Sequence, residues 1–195
     1  MNTETYIANL ALGQAGVAAT IQSLDERSPE AQRCRPHMQI VRRQVLEAFD
    51  WGFARVRGAL ALHGDAAPDQ WELRYTFPAD CVKFRRIWNP VSATVPVPYA
   101  VELSLDKKQK TILTNMDEAI GVWTHDVTDL SLTSAHFQHC MAVLLGSIIA
   151  MSTSKNRNIK GDLMQQFNNL IHIAPAHDDQ QSADEERLPD WITGR

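Results

Sequence analysis

Residues 71–88, "WELRYTFPADCVKFRRIW", decide the fold class because their apolar residues recur at every second position. The alternating apolar residues are Trp71, Leu73, Tyr75 and Phe77 before Pro78, and Val82, Phe84 and Trp88 after it. A period of two is typical of a β-strand, in which successive side chains point to opposite faces. The stretch therefore predicts two strands separated by a turn around Pro78.

The strand spacing continues through the middle third of the chain. Residues 99–105 alternate through Tyr99, Val101, Leu103 and Leu105, and "DKKQK" at 106–110 indicates a hairpin turn before a short strand with Ile112 and Leu113. "AIGVWTHDV" at 119–127 predicts a further strand, and the prolines at 96 and 98 confine their stretch to a loop or a sheet edge. We expect a small antiparallel sheet with one face in water.

Both flanks of this region have helical spacing instead. We expect a first helix with Thr3 as N-cap and Gly16 just after its end, and a longer one that begins at Ser28–Pro29. Its apolar stripe runs through Cys34, Met38, Val41, Val45 and Ala48, with Arg42, Arg43 and Glu47 largely off that stripe. Pro36 predicts a kink or a junction of two helices. Two more helices follow Ser134, the second ending near Pro175.

The sequence therefore predicts an α+β protein, a helical bundle with an inserted small antiparallel β-sheet subdomain and an extended C-terminal arm. Residues 1–66 and 130–175 are assigned to the bundle, 67–129 to the inserted sheet and 176–195 to the arm. Phe49, Trp51 and Phe53 are expected to close the bundle from within.

Composition narrows the function classes. A net charge of −4 and a pI near 5.9 argue against a dedicated nucleic-acid binder. We find no apolar run long enough to span a bilayer and no secretory signal, and we expect no membrane association. Three widely spaced cysteines, Cys34, Cys81 and Cys140, indicate reduced, buried thiols of a protein made in a cytoplasm.

Candidate chemical sites are weak. His136, His139 and Cys140 share a helix face, but zinc needs three or four ligands with supporting partners, so core packing is the better interpretation. No nucleophile elbow, zinc-protease motif or phosphate-binding glycine loop occurs. We expect no catalytic, cofactor-binding or metal-binding residues.

The C-terminus carries the strongest sign of a partner. An acidic, polar spacer separates "LPDWITGR" from the rest of the chain, and such a spacer cannot bury itself. Tryptophan in such a place anchors interfaces by filling a pocket. The predicted interface with a partner protein consists of Leu188, Pro189, Asp190, Trp191, Ile192 and Arg195.

The order of several motifs resembles the tail tubular protein A family of short-tailed bacteriophages, the head-to-tail adaptors. The matching N-terminal positions are Leu10, Gly16, Ile21, Ser23, Leu24, Ser28, Ala31, Cys34, Arg35, Arg42, Leu46, Trp51, Phe53 and Ala54. The strand pair matches at Tyr75, Pro78, Ala79, Asp80 and Cys81, and the terminus at Asp190, Trp191, Ile192 and Arg195. The resemblance covers about the first ninety residues, weakens through the hairpin region and returns at the end. Pro36 and Pro175 depart from the family's helices.

The resemblance implies a virion protein at the junction of head and tail, without enzymatic activity. It implies a homo-oligomeric, dodecameric ring that contacts the portal protein on one side and the tail nozzle, a tubular protein B-like partner, on the other. Tail fibres are a further implied partner, and genomic DNA would pass through the ring without specific binding. Ring closure needs heterologous contacts between different surfaces of neighbouring subunits.

Two rival functions remain open from the sequence. A small hydrolase would use Asp80 or His125 near the sheet, and it requires two titratable groups within hydrogen-bond reach in a cleft. A DNA-binding regulator would present a continuous basic face on the helix that contains Arg42 and Arg43.

Overall fold

A computed structural model of the chain describes residues 2–91, 95–153 and 158–178. It confirms the predicted α+β class. The helices are α1 (Thr3–Gln14), α2 (Pro29–Cys34), α3 (Met38–Ala48), α4 (Ala135–Thr153) and α5 (Asn158–Asp178). The strands are β1 (Arg55–Ala59), β2 (Leu73–Thr76), β3 (Cys81–Ile87), β4 (Ala100–Leu103), β5 (Lys110–Thr114) and β6 (Ile120–His125). No helix of the described part is long and apolar enough to cross a membrane.

Local signals set the helix ends largely as predicted. Ser28 caps α2 by accepting a hydrogen bond from Ala31 N, and Pro29 occupies the first turn. Gly16 follows α1 with a φ of +79°, a conformation that glycine adopts without steric cost. The N-cap of α1 is Asn2 and not the predicted Thr3, because the Asn2 carboxamide accepts from Glu4 N.

Pro36 divides the long helical segment. A short 3₁₀ turn, Arg35–His37, separates α2 from α3, as expected where proline removes a backbone donor. Cys34, Met38, Val41 and Val45 face the core as predicted. Ala48 is exposed instead, since α3 ends there.

Helix α4 forms the centre of the bundle and packs against α1, α3 and α5. Its apolar residues face inward on most sides, and Phe137, Met141 and Leu145 are fully buried. Gly146 permits the close approach of α1, because an added Cβ would lie 3.1 Å from Ala11 O.

An aromatic cluster closes one end of the bundle, as predicted for Phe49, Trp51 and Phe53. Trp51 is 1% exposed, and its indole N–H donates to Val45 O at 2.8 Å. Its ring meets Phe49 and Phe137 edge to face, with centroids 5.2 Å apart in both pairs. The turn after α3 is thereby fixed to α4.

Within the described residues, the β-region consists of two three-stranded antiparallel sheets. The first sheet has the order β1-β6-β3 and the second the order β2-β5-β4. A second hydrophobic core, with Tyr75, Phe84, Ile112 and Trp123, contains residues of both sheets. Because β1 pairs with β6, sheet residues begin at Arg55, within residues 1–66 that the sequence assigned to the bundle.

The register of β3 departs from simple alternation. Register shifts lie between Cys81 and Lys83 and between Phe84 and Arg86. A bulge turns later side chains to the other face, so Ile87 is buried at 2% exposure and the predicted Trp88 is only half-buried.

Pro175 does not end the last helix. Helix α5 continues to Asp178, past the predicted boundary at 175, because a proline in the final turn removes a single backbone hydrogen bond. Ala174, next to this proline, is fully buried in the bundle core.

Arg85 joins the bundle to the first sheet. Its guanidinium donates to the carbonyls of Leu46 (2.7 Å), Glu47 (3.2 Å) and Phe49 (2.5 Å) at the end of α3. Its Nε donates to Thr124 Oγ1 at 2.8 Å on β6. These carbonyls have no partner within the helix, so the arginine serves as a C-terminal cap supplied by a strand.

Candidate functional site

Strand β4 exposes an apolar edge. In the part of the chain that the structure describes, β4 pairs only with β5 and forms one side of the second sheet. Val101, Leu103 and Leu105 are 42%, 56% and 68% exposed. We call these three residues the β4 edge. An exposed apolar strand at a sheet edge is a site where another chain can pair.

The register explains why these side chains reach solvent. Val101 lies opposite Ile112, and Leu103 lies opposite Lys110, so all four side chains share one face of the sheet. Ile112 is fully buried beneath the first sheet, whereas the β4 residues lie beyond that cover. This face therefore passes from the buried Ile112 to the exposed Val101, Leu103 and Lys110.

The turn after β4 is held in a fixed shape. The Ser104 hydroxyl and Lys108 N both donate to the Asp106 carboxylate, and these bonds lower the pKa of Asp106. Leu105 N donates to Asp65 Oδ2 at 2.8 Å, which ties the edge to a neighbouring loop. A surface held this way loses little conformational freedom on binding.

The two residues of the hydrolase hypothesis meet. His125 Nδ1 lies 2.7 Å from Asp80 Oδ2, at the point where β3 begins and β6 ends. Their side chains are 42% and 48% exposed. The pair joins the end of β6 to the start of β3, and both side chains are partly open to solvent, which weakens their electrostatic interaction.

Cys81, a candidate nucleophile beside this pair, is not activated. Cys81 lies opposite His125 in the sheet, but burial raises the pKa of its thiol to about 12. A reactive cysteine needs a lowered pKa and access to solvent. A groove of about 580 Å³ borders Cys81, Phe77 and Trp123, yet neither Asp80 nor His125 lines it.

The helix of the DNA-regulator hypothesis lacks the basic face that it requires. Arg42 is buried at 9% exposure, contrary to the prediction that it lies off the core stripe, and its guanidinium contacts Asp126 Oδ1 at 2.8 Å. Arg43 lies 3.8 Å from the other oxygen of the same carboxylate. Asp126 thus holds both cations against the end of β6.

The candidate metal residues have other roles. His136 Nε2 lies 2.9 Å from Leu170 O and so links α4 to α5, and Cys140 is fully buried. No group of three or more potential metal ligands occurs within the described ranges.

The predicted interface residues lie outside the described residues, since these end at Asp178. They are Leu188, Pro189, Asp190, Trp191, Ile192 and Arg195. No model of a known protein family matches the chain, and no curated protein sequence matches it either.

Proposed function

We propose that the protein is a structural assembly protein, a head-to-tail adaptor of a short-tailed bacteriophage. In this role it forms a homo-oligomeric, dodecameric ring in the virion between the portal and the tail nozzle, through which the genome passes. The proposal extends the resemblance of the motifs around Trp51, Pro78 and Trp191. The β4 edge is the observation that carries the assembly role.

The β4 edge suits a contact between subunits. A neighbouring chain can add a strand beside β4 through backbone hydrogen bonds, while Val101 and Leu103 supply apolar contact. A ring requires that this edge meet a different surface of the next copy. The C-terminal residues, with Trp191 as the principal anchor, remain the proposed contact with the portal or a neighbour.

The hydrolase is the second candidate, because Asp80 and His125 do lie within hydrogen-bond distance. It is the weaker one, since the pair is open to water and the adjacent thiol is buried. No catalytic step is proposed for this pair.

The test compares assembly of the wild type with two substitutions to aspartate. Leu103→Asp places a charge on the β4 edge, and Leu132→Asp places it at a residue 69% exposed elsewhere on the molecule. Mass measurements over a range of concentrations should show rings for the wild type and for Leu132→Asp, and monomers for Leu103→Asp. Equal assembly of all three would remove β4 from the interface. Particle images that place the protein away from the head–tail junction would refute the adaptor role.

A further inference from the structure

The first sheet has a basic face. Arg55 and Lys83 both lie opposite Thr124 in the register, and Arg57 and Arg86 both lie opposite Val122. Residues opposite one another on adjacent strands point to the same side. All four cations are exposed, whereas Thr124 and Val122 between them are fully buried. We call Arg55, Arg57, Lys83 and Arg86 the basic face.

Nearby groups orient these cations. Asp50 lies 3.2 Å from the Arg55 guanidinium and 3.6 Å from that of Arg86. Lys83 Nζ donates to the carbonyl of Glu47, and the Arg57 guanidinium lies 3.7 Å from the centre of the Trp88 ring. A carbonyl and an aromatic ring carry no net charge, so these contacts leave the positive charges of Lys83 and Arg57 in excess. This excess contrasts with the net charge of −4 of the whole chain.

The chain carries a complementary segment. Residues 178–186, "DDQQSADEE", contain five carboxylates and no lysine or arginine. The acidic residues are Asp178, Asp179, Asp184, Glu185 and Glu186. We call this stretch the acidic segment. Its removal would bring the remaining sequence close to electrical neutrality, so most of the excess negative charge is concentrated there.

The acidic segment starts within reach of the basic face. His136 contacts both Leu170 O of α5 and the ring of Trp51, whose centroid lies 6.0 Å from the imidazole. Helix α5 ends at Asp178, on the order of 12 Å along its axis beyond Leu170. The eight residues after Asp178 span up to about 27 Å when extended. The basic face begins at Arg55, only a short turn after Trp51.

We propose that the acidic segment lies on the basic face of its own chain. Carboxylates of residues 179–186 would pair with the guanidinium and ammonium groups of Arg57, Lys83 and Arg86. Contact within one chain benefits from a high effective concentration, so pairs that are individually weak act together. The contact would set the position from which the last residues, with Trp191, leave the molecule. It does not depend on the adaptor role.

The experiment places a spin label in the acidic segment and records relaxation effects on backbone amides. Ser182→Cys supplies the labelling site, because burial raises the pKa of Cys34 to about 11 and of Cys81 and Cys140 to about 12. At low salt, the amide signals of β1 and β3 should lose at least about half their intensity. They should recover near 0.5 M salt, where the Debye length falls to about 4 Å.

Charge variants of the full chain test whether the broadening depends on the charges of the basic face and of the acidic segment. The double variant Arg57→Glu/Arg86→Glu should abolish the broadening, and so should neutralising the segment with Asp184→Asn/Glu185→Gln/Glu186→Gln. The latter variant leaves every described residue unchanged, so it serves even if the sheet variant folds poorly. The matched control is Arg27→Glu/Lys108→Glu, at exposed sites off this face, and it should leave the broadening unchanged.

Three results would overturn the proposal. The first is the absence of broadening at low salt, or broadening that persists after the segment is neutralised. The second is broadening of isotope-labelled protein by a separate, spin-labelled copy, which would assign the contact to a neighbouring chain. The third is binding of a duplex oligonucleotide that is equally tight with and without the segment's charges, which would assign the basic face to nucleic acid.

Discussion

Replacing Arg85 with methionine tests whether this arginine joins the helical bundle to the first sheet. The substitution keeps an unbranched, apolar side chain that reaches about as far as the arginine Nε, but it removes the donors to the carbonyls of Leu46, Glu47 and Phe49 and to Thr124. Leu46 O, Phe49 O and Thr124 Oγ1 then lose a partner in part-buried sites, whereas Glu47 O is exposed and keeps the Lys83 ammonium as a donor. The side chain is only 12% exposed, so water does not readily replace the arginine.

The expected cost follows from the number and kind of bonds. A hydrogen bond to a charged group contributes about 1.5–3 kcal/mol, and bonds from one guanidinium are not additive. Burial opposes part of this gain, as shown by its lowering of the pKa of Arg85. We expect Arg85→Met to reduce the free energy of unfolding by about 3 kcal/mol, the lower end of the range for breaking a buried charged network.

Urea denaturation followed by circular dichroism measures this cost. Arg86→Met is the matched control, since the neighbouring side chain is 48% exposed and makes one ion pair at 3.6 Å. We expect that control to change stability by no more than about 0.5 kcal/mol. If the two variants unfolded at the same urea concentration with equal slopes, Arg85 would have no joining role.

Three further outcomes follow from individual contacts. Gly121→Ala should destabilise the fold by about 1–3 kcal/mol in thermal melts, because its Cβ would lie 2.8 Å from two side chains of the sheet core. Gly64→Ala is the control and should not destabilise the fold, because the space beside Gly64 is open. Equal melting temperatures of the two variants would contradict the packing argument. Asp126→Ala should cost about 2–3 kcal/mol by leaving Arg42 buried without its carboxylate, whereas Asp25→Ala removes an exposed pair and should cost at most about 0.5 kcal/mol. The three thiols should react with a disulfide reagent only after unfolding, because burial raises their pKa above the ordinary value of 9.0 and keeps them protonated; rapid reaction of the folded protein would refute this. These thiols are Cys34, Cys81 and Cys140.

Features that depend on neighbouring residues could be predicted from the sequence. Ser28 with the following proline marks a helix start, Gly16 marks a helix end, and Pro36 divides a helix, because each acts through the backbone within one turn. The strand regions around Tyr75 and Phe84 were predicted for the same reason, since alternation is a local property.

Features that depend on residues far apart in the chain could not be predicted from the sequence. Strand β1 is short and follows an aromatic cluster, and its partner β6 lies far along the chain. The burial of Arg42 depends on Asp126, 84 positions away. The basic face requires β1 and β3 to flank the same strand, so "RVR" and "KFRR" reveal it only once the register is known. The exposure of the β4 edge likewise depends on how far the first sheet extends over the second.

Each hydrophobic core contains its own tryptophan, and this arrangement gives the protein two built-in optical reporters. Trp51 is enclosed among the helices, and Trp123 is enclosed between the sheets. Replacing the other tryptophans with phenylalanine would leave fluorescence from these two alone. During unfolding, the emission of Trp51 would report on the bundle and that of Trp123 on the sheets. Comparing the two would reveal whether bundle and sheets unfold together or one after the other.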